Sequence, residues 1–451
     1  MAVDGVTLMR KPPLYKRLAH SAFGGEASAV FRGMAVLATG SGLAKVVGLV
    51  SMPILARLYT PEDFGIMAVF LALIAILSPF LTLRYVLALP LPRTDAAAIN
   101  IFALCLALSA VMGAVMTLLL GLFAAPLLKF LSMEVLAPWW WLIVIGLLTA
   151  GANDVLTQWA TRKRNYRIIA RTSVLKSLGG NAVKLGMGVS VAGPLGLLLG
   201  ALIADNGGLA TFLRHYTGAL RASWRHVRLR RMRALGQRYI SFPLYRVPSQ
   251  FLLSFAMQSP VFFIAGYYGA FDAGQFALAL TVIALPITLV AKSAGSAFLG
   301  EASRLASIDH KSLQAVTKDV IRKTAILSII PSAILLFFGE PLFVLVFGEQ
   351  WATAGVFASY LSIYLFFHFI SHPIQHLFQI LGRNDLYLQQ VLRRAIMVAL
   401  LFVGCIYFEV SATNTILIYS VAMSVHYTIV STTVLRLAGK FSGSKHARGA
   451  G

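Results

Sequence analysis

The chain is dominated by apolar runs of about 20 residues, each long enough to cross the hydrocarbon core of a bilayer as a helix. They recur from residue 34 to residue 435. Twelve spans are predicted, at about 34–56, 64–90, 99–124, 138–158, 173–192, 195–213, 242–266, 273–292, 324–347, 355–381, 395–408 and 413–435. Of the 451 residues, 58% are hydrophobic and 12% charged, about half the charge fraction of a soluble protein. The fold class is therefore all-α, an integral membrane protein. Cys105 and Cys405 both fall inside apolar runs, which supports neither a disulfide framework nor a cysteine-rich metal site.

The net charge of +23 would suit nucleic acid, but its placement argues for topology. The connection after span 6, "RHYTGALRASWRHVRLRRMRALGQRY", holds eight arginines and no acid, while the alternate connections together hold only Arg57 and Lys129. This is a strong positive-inside pattern. It puts both termini in the cytoplasm, makes anionic lipid headgroups a secondary partner and leaves no role for nucleic acid.

Tyr59, Asp63, Gly65 and Ala68 recur as Tyr268, Asp272, Gly274 and Ala277, displaced by 209 residues, in the same outside turn of the first and seventh spans. Six spans return a chain to its starting side, so two six-helix bundles sharing one orientation follow, related by a pseudo-twofold axis along the membrane normal with a cavity between them. The expected division is a tail at 1–33, bundles at 34–213 and 242–435, an Arg-rich cytoplasmic linker at 214–241 and a tail at 436–451.

An ionised side chain in mid-membrane costs about 2.5–3.5 kcal/mol even on a lenient scale. Lys45 and Lys184 lie in the middle of spans 1 and 5, Arg84 in the inner half of span 2, and Lys176, Arg246 and Lys292 near span ends. Lys176 and Lys292 can snorkel to the surface; Lys45 and Lys184 are too deep for that and point to a wet cavity. Arg246, Gln250, Ser254 and Gln258, four residues apart, form a polar stripe on span 7, either lining the cavity or bonding neighbouring helices. His368, His372 and His376 repeat the spacing on span 10. Structural zinc normally needs four ligands and no acid matches them, so cavity lining, packing or proton sensing is the reading, and no metal site is expected.

A cavity rich in Lys and Arg implies an anionic ligand, for which phosphate suits both residue types. No nucleotide-binding G-x-x-x-x-G-K-[ST] occurs, and no paired carboxylates stand on a substantial outside loop, so a carrier is expected and an enzyme is not.

"GSGLAKVVGLVSMPILARLYTPEDFGIMAV", "QWATRKRNYRIIARTSVLKS", "FPLYRVPSQFLLSFAMQSPVFFIAGYYGAFDAGQFALA" and "VFGEQWATAG" resemble the Wzx-type O-antigen and polysaccharide flippases of the MOP superfamily. The resemblance covers most of the chain. It implies two six-helix bundles in parallel pseudo-symmetry and, as substrate, a polyprenyl-diphosphate-linked oligosaccharide, moved from the cytoplasmic to the periplasmic leaflet of the inner membrane. Lys45, Arg84, Lys184, Arg246 and Lys292 would then face the diphosphate, and Gln250, Ser254, Gln258 and the three histidines the sugar. It leaves a polysaccharide polymerase open as a protein partner. Arg57 and Asp272 are expected to pair across the outside gate beside Asp63, the alternative being that "TPEDFG" only caps span 2. No cofactor is expected; coupling to H⁺ or a monovalent cation could use Asp205 or Asp154. A MATE-like small-molecule exporter is the alternative carrier, though it would want acids in the cavity, and a polymerase or ligase is the enzyme alternative.

Overall fold

The structure, a computed structural model, describes residues 26–190, 193–308 and 310–443. Most of the expected N-terminal tail and the end of the C-terminal one lie outside the described residues. Among those described, the chain is helical from end to end. Six spans come before the Arg-rich connection: α1 (Glu26–Leu58), α2 (Pro61–Leu81), α3 (Asp95–Phe130), α4 (Trp140–Arg162), α5 (Tyr166–Ser190) and a broken sixth, α6 (Leu195–Asn206) with α7 (Leu209–Trp224). The connection carries α8 (Leu229–Arg238). Six more spans follow: α9 (Val247–Tyr268), α10 (Ala270–Pro286) running through a π turn into α11 (Lys292–Ile308), α12 (His310–Phe347), α13 (Ala352–Ile374) with α14 (His376–Ile380), α15 (Asn384–Tyr407) and α16 (Ala412–Gly443). Ten of the described helical segments are long and apolar enough to cross a membrane on composition alone. The other two spans are α5, diluted by Arg171, Lys176 and Lys184, and the shorter α10. Many large apolar side chains face outward, Phe130, Phe337 and Leu345 among them, as lipid contact requires.

Several boundaries move from the expected ones. The span placed at 395–408 begins at Asn384, because its first turns are amphipathic and carry Arg393 and Arg394, which an apolar window discards. The segment 214–241, expected as a linker, is largely helical. Helix α3 continues through Pro126 to Phe130, shortening the loop expected at 125–138. Arg84 is not within a span: α2 ends at Leu81, and Leu83 and Arg84 both take left-handed backbone, with φ of 45° and 58°. That conformation costs about 1–2 kcal/mol per non-glycine residue.

The repeat has a direct structural meaning. Helices α2 and α10 cross where Gly65 and Gly274 meet. A Cβ on Gly65 would collide with the carbonyl of Ala270, and one on Gly274 with the carbonyl of Pro61. Since 61 and 65 map onto 270 and 274 by the same 209-residue displacement, residue i touches the counterpart of j and j touches the counterpart of i. That reciprocity is the signature of a local twofold axis. The repeated tyrosines also match in role: Tyr59 donates its hydroxyl to the Lys184 carbonyl and Tyr268 to the Val410 carbonyl, each at 2.6 Å. Each hairpin is thereby tied to a distant part of its own half.

Gly65→Ala and Gly274→Ala should each force the helices apart, since the obstructing atoms are backbone and cannot rotate away. Overpacking of this kind costs about 1–3 kcal/mol. Thermal unfolding in detergent should show two similar losses, and a loss at only one position would contradict the twofold contact.

Candidate functional site

The two halves are sealed at the end that carries the short, acid-bearing turns. Thr60 caps α2 as its sequence foretells: the Asp63 amide donates to Thr60 Oγ1 at 3.3 Å and the Thr60 amide to Asp63 Oδ2 at 3.2 Å, closing a capping box. Arg57 does not pair with Asp272, as expected of a gate. It reaches the carbonyls of Leu345 and Val346 at the end of α12, 3.4 Å from each, because a helix C-terminus leaves carbonyls unpaired and carries partial negative charge. The "GEQW" turn between α12 and α13 completes the seal. Trp351 Nε1 donates to the Ala56 carbonyl at 2.7 Å, Gln350 Nε2 reaches the same carbonyl at 2.5 Å, and the Trp351 ring stands edge-on to Phe64 at 5.0 Å. Gln275 secures the turn from behind, donating to the Gln350 carbonyl and accepting from the Ala354 amide. Across the same seam, Ser132 of the first half donates to the Gly266 carbonyl of the second at 3.0 Å; Gly266 is Arg57 displaced by 209.

The opposite, basic end is open. A cavity of about 850 Å³ lies between the halves there, with Arg84 on one wall, Tyr245, Arg246 and Gln250 on a second and Asn384 and Tyr387 on a third. The left-handed turn after α2 swings Arg84 into this space, where Nη2 donates to Gln250 Oε1 at 3.4 Å and Nε is buried without a partner. Gln250 in turn donates to Ser254 Oγ at 3.3 Å. The upper part of the α9 stripe thus faces the cavity, while Ser254 and Gln258 lie beyond its lining. Above the opening, Tyr85 and Asn100 hold the Arg-rich connection: Tyr85 donates to the Gly236 carbonyl at 2.9 Å, and Asn100 donates to the His226 carbonyl while accepting from the Arg228 amide.

The remaining expected cations are elsewhere. Lys45 and Lys292 come close enough to repel one another, and His372 and Lys292 share that neighbourhood, but none of the three lines the large cavity. Lys184 packs against Gly200 between α5 and α6, within electrostatic reach of Asp205. Lys176 bonds the Asp205 carbonyl at 2.6 Å. Asp154 faces Arg84 electrostatically and lines a smaller cavity of about 200 Å³ with Asn153, Thr172 and Lys176. Along α13, His368 bonds the Tyr364 hydroxyl at 2.9 Å and stacks on Tyr427 at 4.5 Å. His376 lies past a break in the helix, which ends at Ile374 just after Pro373. Sequence reasoning missed Arg393, Arg394, Asn384 and Tyr387, whose signal was the polar start of "NDLYLQQVLRR".

The family described as "Polysaccharide biosynthesis protein" matches residues 54–355. The chain belongs to that family. Among solved structures, the lipid II flippase MurJ in an inward closed conformation superposes with a TM-score of 0.70 at 12% identity, over 90% of this chain and 89% of that one. An inward-facing multidrug resistance MATE transporter of the MOP superfamily gives 0.59 at 15% identity, over 90% and 94%. A Vibrio cholerae MATE transporter gives 0.60 at 13%, over 94% and 98%. No curated protein matches by sequence. The expected family and the all-helical membrane fold therefore hold: the chain is a multi-pass membrane protein of the polysaccharide biosynthesis family, with the fold seen in the MurJ and MATE structures.

Trp351→Ala should weaken the seal by about 3 kcal/mol, the usual scale for truncating a buried Trp. Placing a cysteine at Ala56, fully buried here, in a background lacking Cys105 and Cys405, provides the readout. Its labelling by a water-soluble thiol reagent should rise at least tenfold in the Trp351→Ala variant, and unchanged labelling would remove Trp351 from the gate.

Proposed function

We propose that the protein carries a polyprenyl-diphosphate-linked oligosaccharide from the cytoplasmic to the periplasmic leaflet of a bacterial inner membrane by alternating access. The observation that carries the reading is the cavity cation Arg84, buried at Nε without a partner beside Arg246 and Gln250. A diphosphate has the charge and the acceptor oxygens such a site lacks. A unit charge pair 4 Å apart gains about 4 kcal/mol at an effective dielectric near 20, so two arginines offset much of the desolvation of the headgroup. Gln250 and the polar groups above it would bond the sugar, and the prenyl chain would stay in lipid at the seam between the halves. The basic end is then cytoplasmic, with both termini on that side, and residues 34–213 and 242–435 are the two bodies that rock about the glycine crossing.

Arg84→Gln and Arg246→Gln should each lower transport tenfold or more at unchanged protein abundance, whereas Lys at either position should restore part of it. In cells lacking the protein, lipid-linked units should accumulate on the cytoplasmic face, read by an impermeant lectin applied to intact cells and to inverted vesicles. Single units building up on the outer face would favour a polymerase or ligase, and no accumulation would favour a MATE-like exporter.

Coupling to protons belongs to the same proposal. Asp154 opposes Arg84 electrostatically, so its protonation would release the arginine to the diphosphate, and its ionisation would compete with that anion. Asp154→Asn should leave headgroup binding intact and remove the dependence of transport on an imposed pH gradient. Retention of that dependence would shift the role to Asp205.

A further inference from the structure

The least satisfied polar cluster among the described residues lies in the second half, on α15 above the cavity wall. Fourteen buried side-chain nitrogen and oxygen atoms among the described residues have no hydrogen-bond partner, and six of them belong to Gln390, Arg393, Arg394 and His426. Gln390 and His426 are 7% and 4% exposed, so bulk solvent does not reach them. Native structures leave few such groups, and each calls for a specific partner.

The four residues share one neighbourhood between α15 and α16. Gln390 and Arg394 are one turn apart on the same side of α15, and His426 on α16 lies within electrostatic reach of both Arg393 and Arg394. Tyrosines close the site: Arg394 Nη1 donates to the Tyr427 hydroxyl at 3.4 Å and its guanidinium also bonds Tyr419. Tyr364 and His368 of α13 stand behind them, with Tyr364 and Tyr427 ring centroids 5.7 Å apart.

No carboxylate balances this charge. Helices α13 and α16 contain no Asp or Glu, and the one acid of α15, Asp385, is paired with Arg383 at 2.7 Å. Arginine stays charged at any ordinary pH, and a charge out of water needs a counter-charge or a full set of hydrogen bonds. Tyrosine hydroxyls supply only part of that set, since the Nε atoms of both arginines and Nη2 of Arg393 stay free.

We infer that Arg393, Arg394, Gln390 and His426 form an anion-binding site between α15 and α16 in the second half, of a kind that suits a carboxylate. The two guanidinium groups offer donors in fork geometry, the shape a carboxylate accepts. The Gln390 amide supplies a further donor, and the surrounding buried tyrosines keep bulk water from the guanidinium groups. Access is from the large cavity: Tyr387 and Val391 line it, and Arg394 follows Val391 by three residues on the same helix face. The anion can come from a free solute or from an acidic sugar of the transported glycan. The second source rests on the flippase reading; the site itself does not.

The test uses the purified full chain in nanodiscs, in a buffer whose only anion is a bulky sulfonate. Sodium glucuronate, acetate and chloride are titrated separately while thermal unfolding is followed. Saturable stabilisation of about 4 °C at a hundredfold excess over Kd is expected, absent in Arg394→Gln and weakened in Gln390→Leu. Stabilisation by glucuronate well beyond acetate and chloride would assign the site to an acidic sugar, and equal effects of all three would assign it to a free anion. In the sulfonate buffer Arg394→Gln should unfold at a higher temperature than the parent, because it removes an uncompensated charge. Anion effects that are absent, or the same in parent and both variants, would overturn the site, as would a lower unfolding temperature for Arg394→Gln together with an unchanged response in Gln390→Leu.

Discussion

Two helices pass each other at Gly65 and Gly274 with no side chain between them, and the arrangement of the other spans follows from that contact. A close backbone crossing in lipid is stabilised by dispersion and by the absence of anything larger, since hydrocarbon offers no hydrophobic drive to associate. It also fixes geometry. With carbonyls of Pro61 and Ala270 against the opposite glycine, the helices can pivot about the contact but cannot slide along it without collision. A pivot of this kind suits a carrier that must open at one end as it closes at the other.

The polar contacts near the crossing are of a type that can be made and unmade. Trp351, Gln350 and Arg57 all bond backbone carbonyls across the seam, and those acceptors lie at helix ends. A carbonyl at a helix terminus has no partner within its own helix, so it can exchange a side chain for water when the seam opens. An Arg57–Asp272 ion pair would have been a stiffer device, since separating it would expose two opposite charges at once. The structure uses the helix end in place of the acid and leaves Asp63 to its cap.

Much of this was legible in the sequence. The number of spans follows from apolar length, and the twofold from four residues repeated at a constant displacement. The cap at Thr60 follows from Thr-Pro-Glu-Asp, because capping is a local property of four residues. What could not be read was anything depending on where a helix turns or faces. Arg84 looked like a charge inside a span because nothing in "FLTLRYVLA" announces two left-handed residues; tertiary packing imposes them. Lys184 looked like a cavity residue from its depth alone, yet depth does not say which side of α5 it occupies, and it faces α6. Arg393 and Arg394 were lost for the opposite reason: an apolar window reads the polar first three turns as loop, and here the helix simply begins earlier, at Asn384.

The symmetry that organises the crossing stops at the cavity. Displaced by 209 residues, Lys45 and Arg84 fall on Ser254 and Ser293, so neither cation has a charged counterpart in the second half. That half instead holds Arg393 and Arg394 on α15, among tyrosines; Arg393 is Lys184 displaced by 209, while Arg394 falls opposite Leu185. The glycines and tyrosines of the crossing are constrained to match because each touches the counterpart of the other. In the proposed reading wall residues would touch the cargo, and a twofold wall would offer two equivalent anion sites. A ligand with a lipid at one end, a diphosphate in the middle and a glycan at the other has no such symmetry. A symmetric hinge carrying asymmetric walls is the arrangement expected where the motion is shared by both halves and the binding is divided between them.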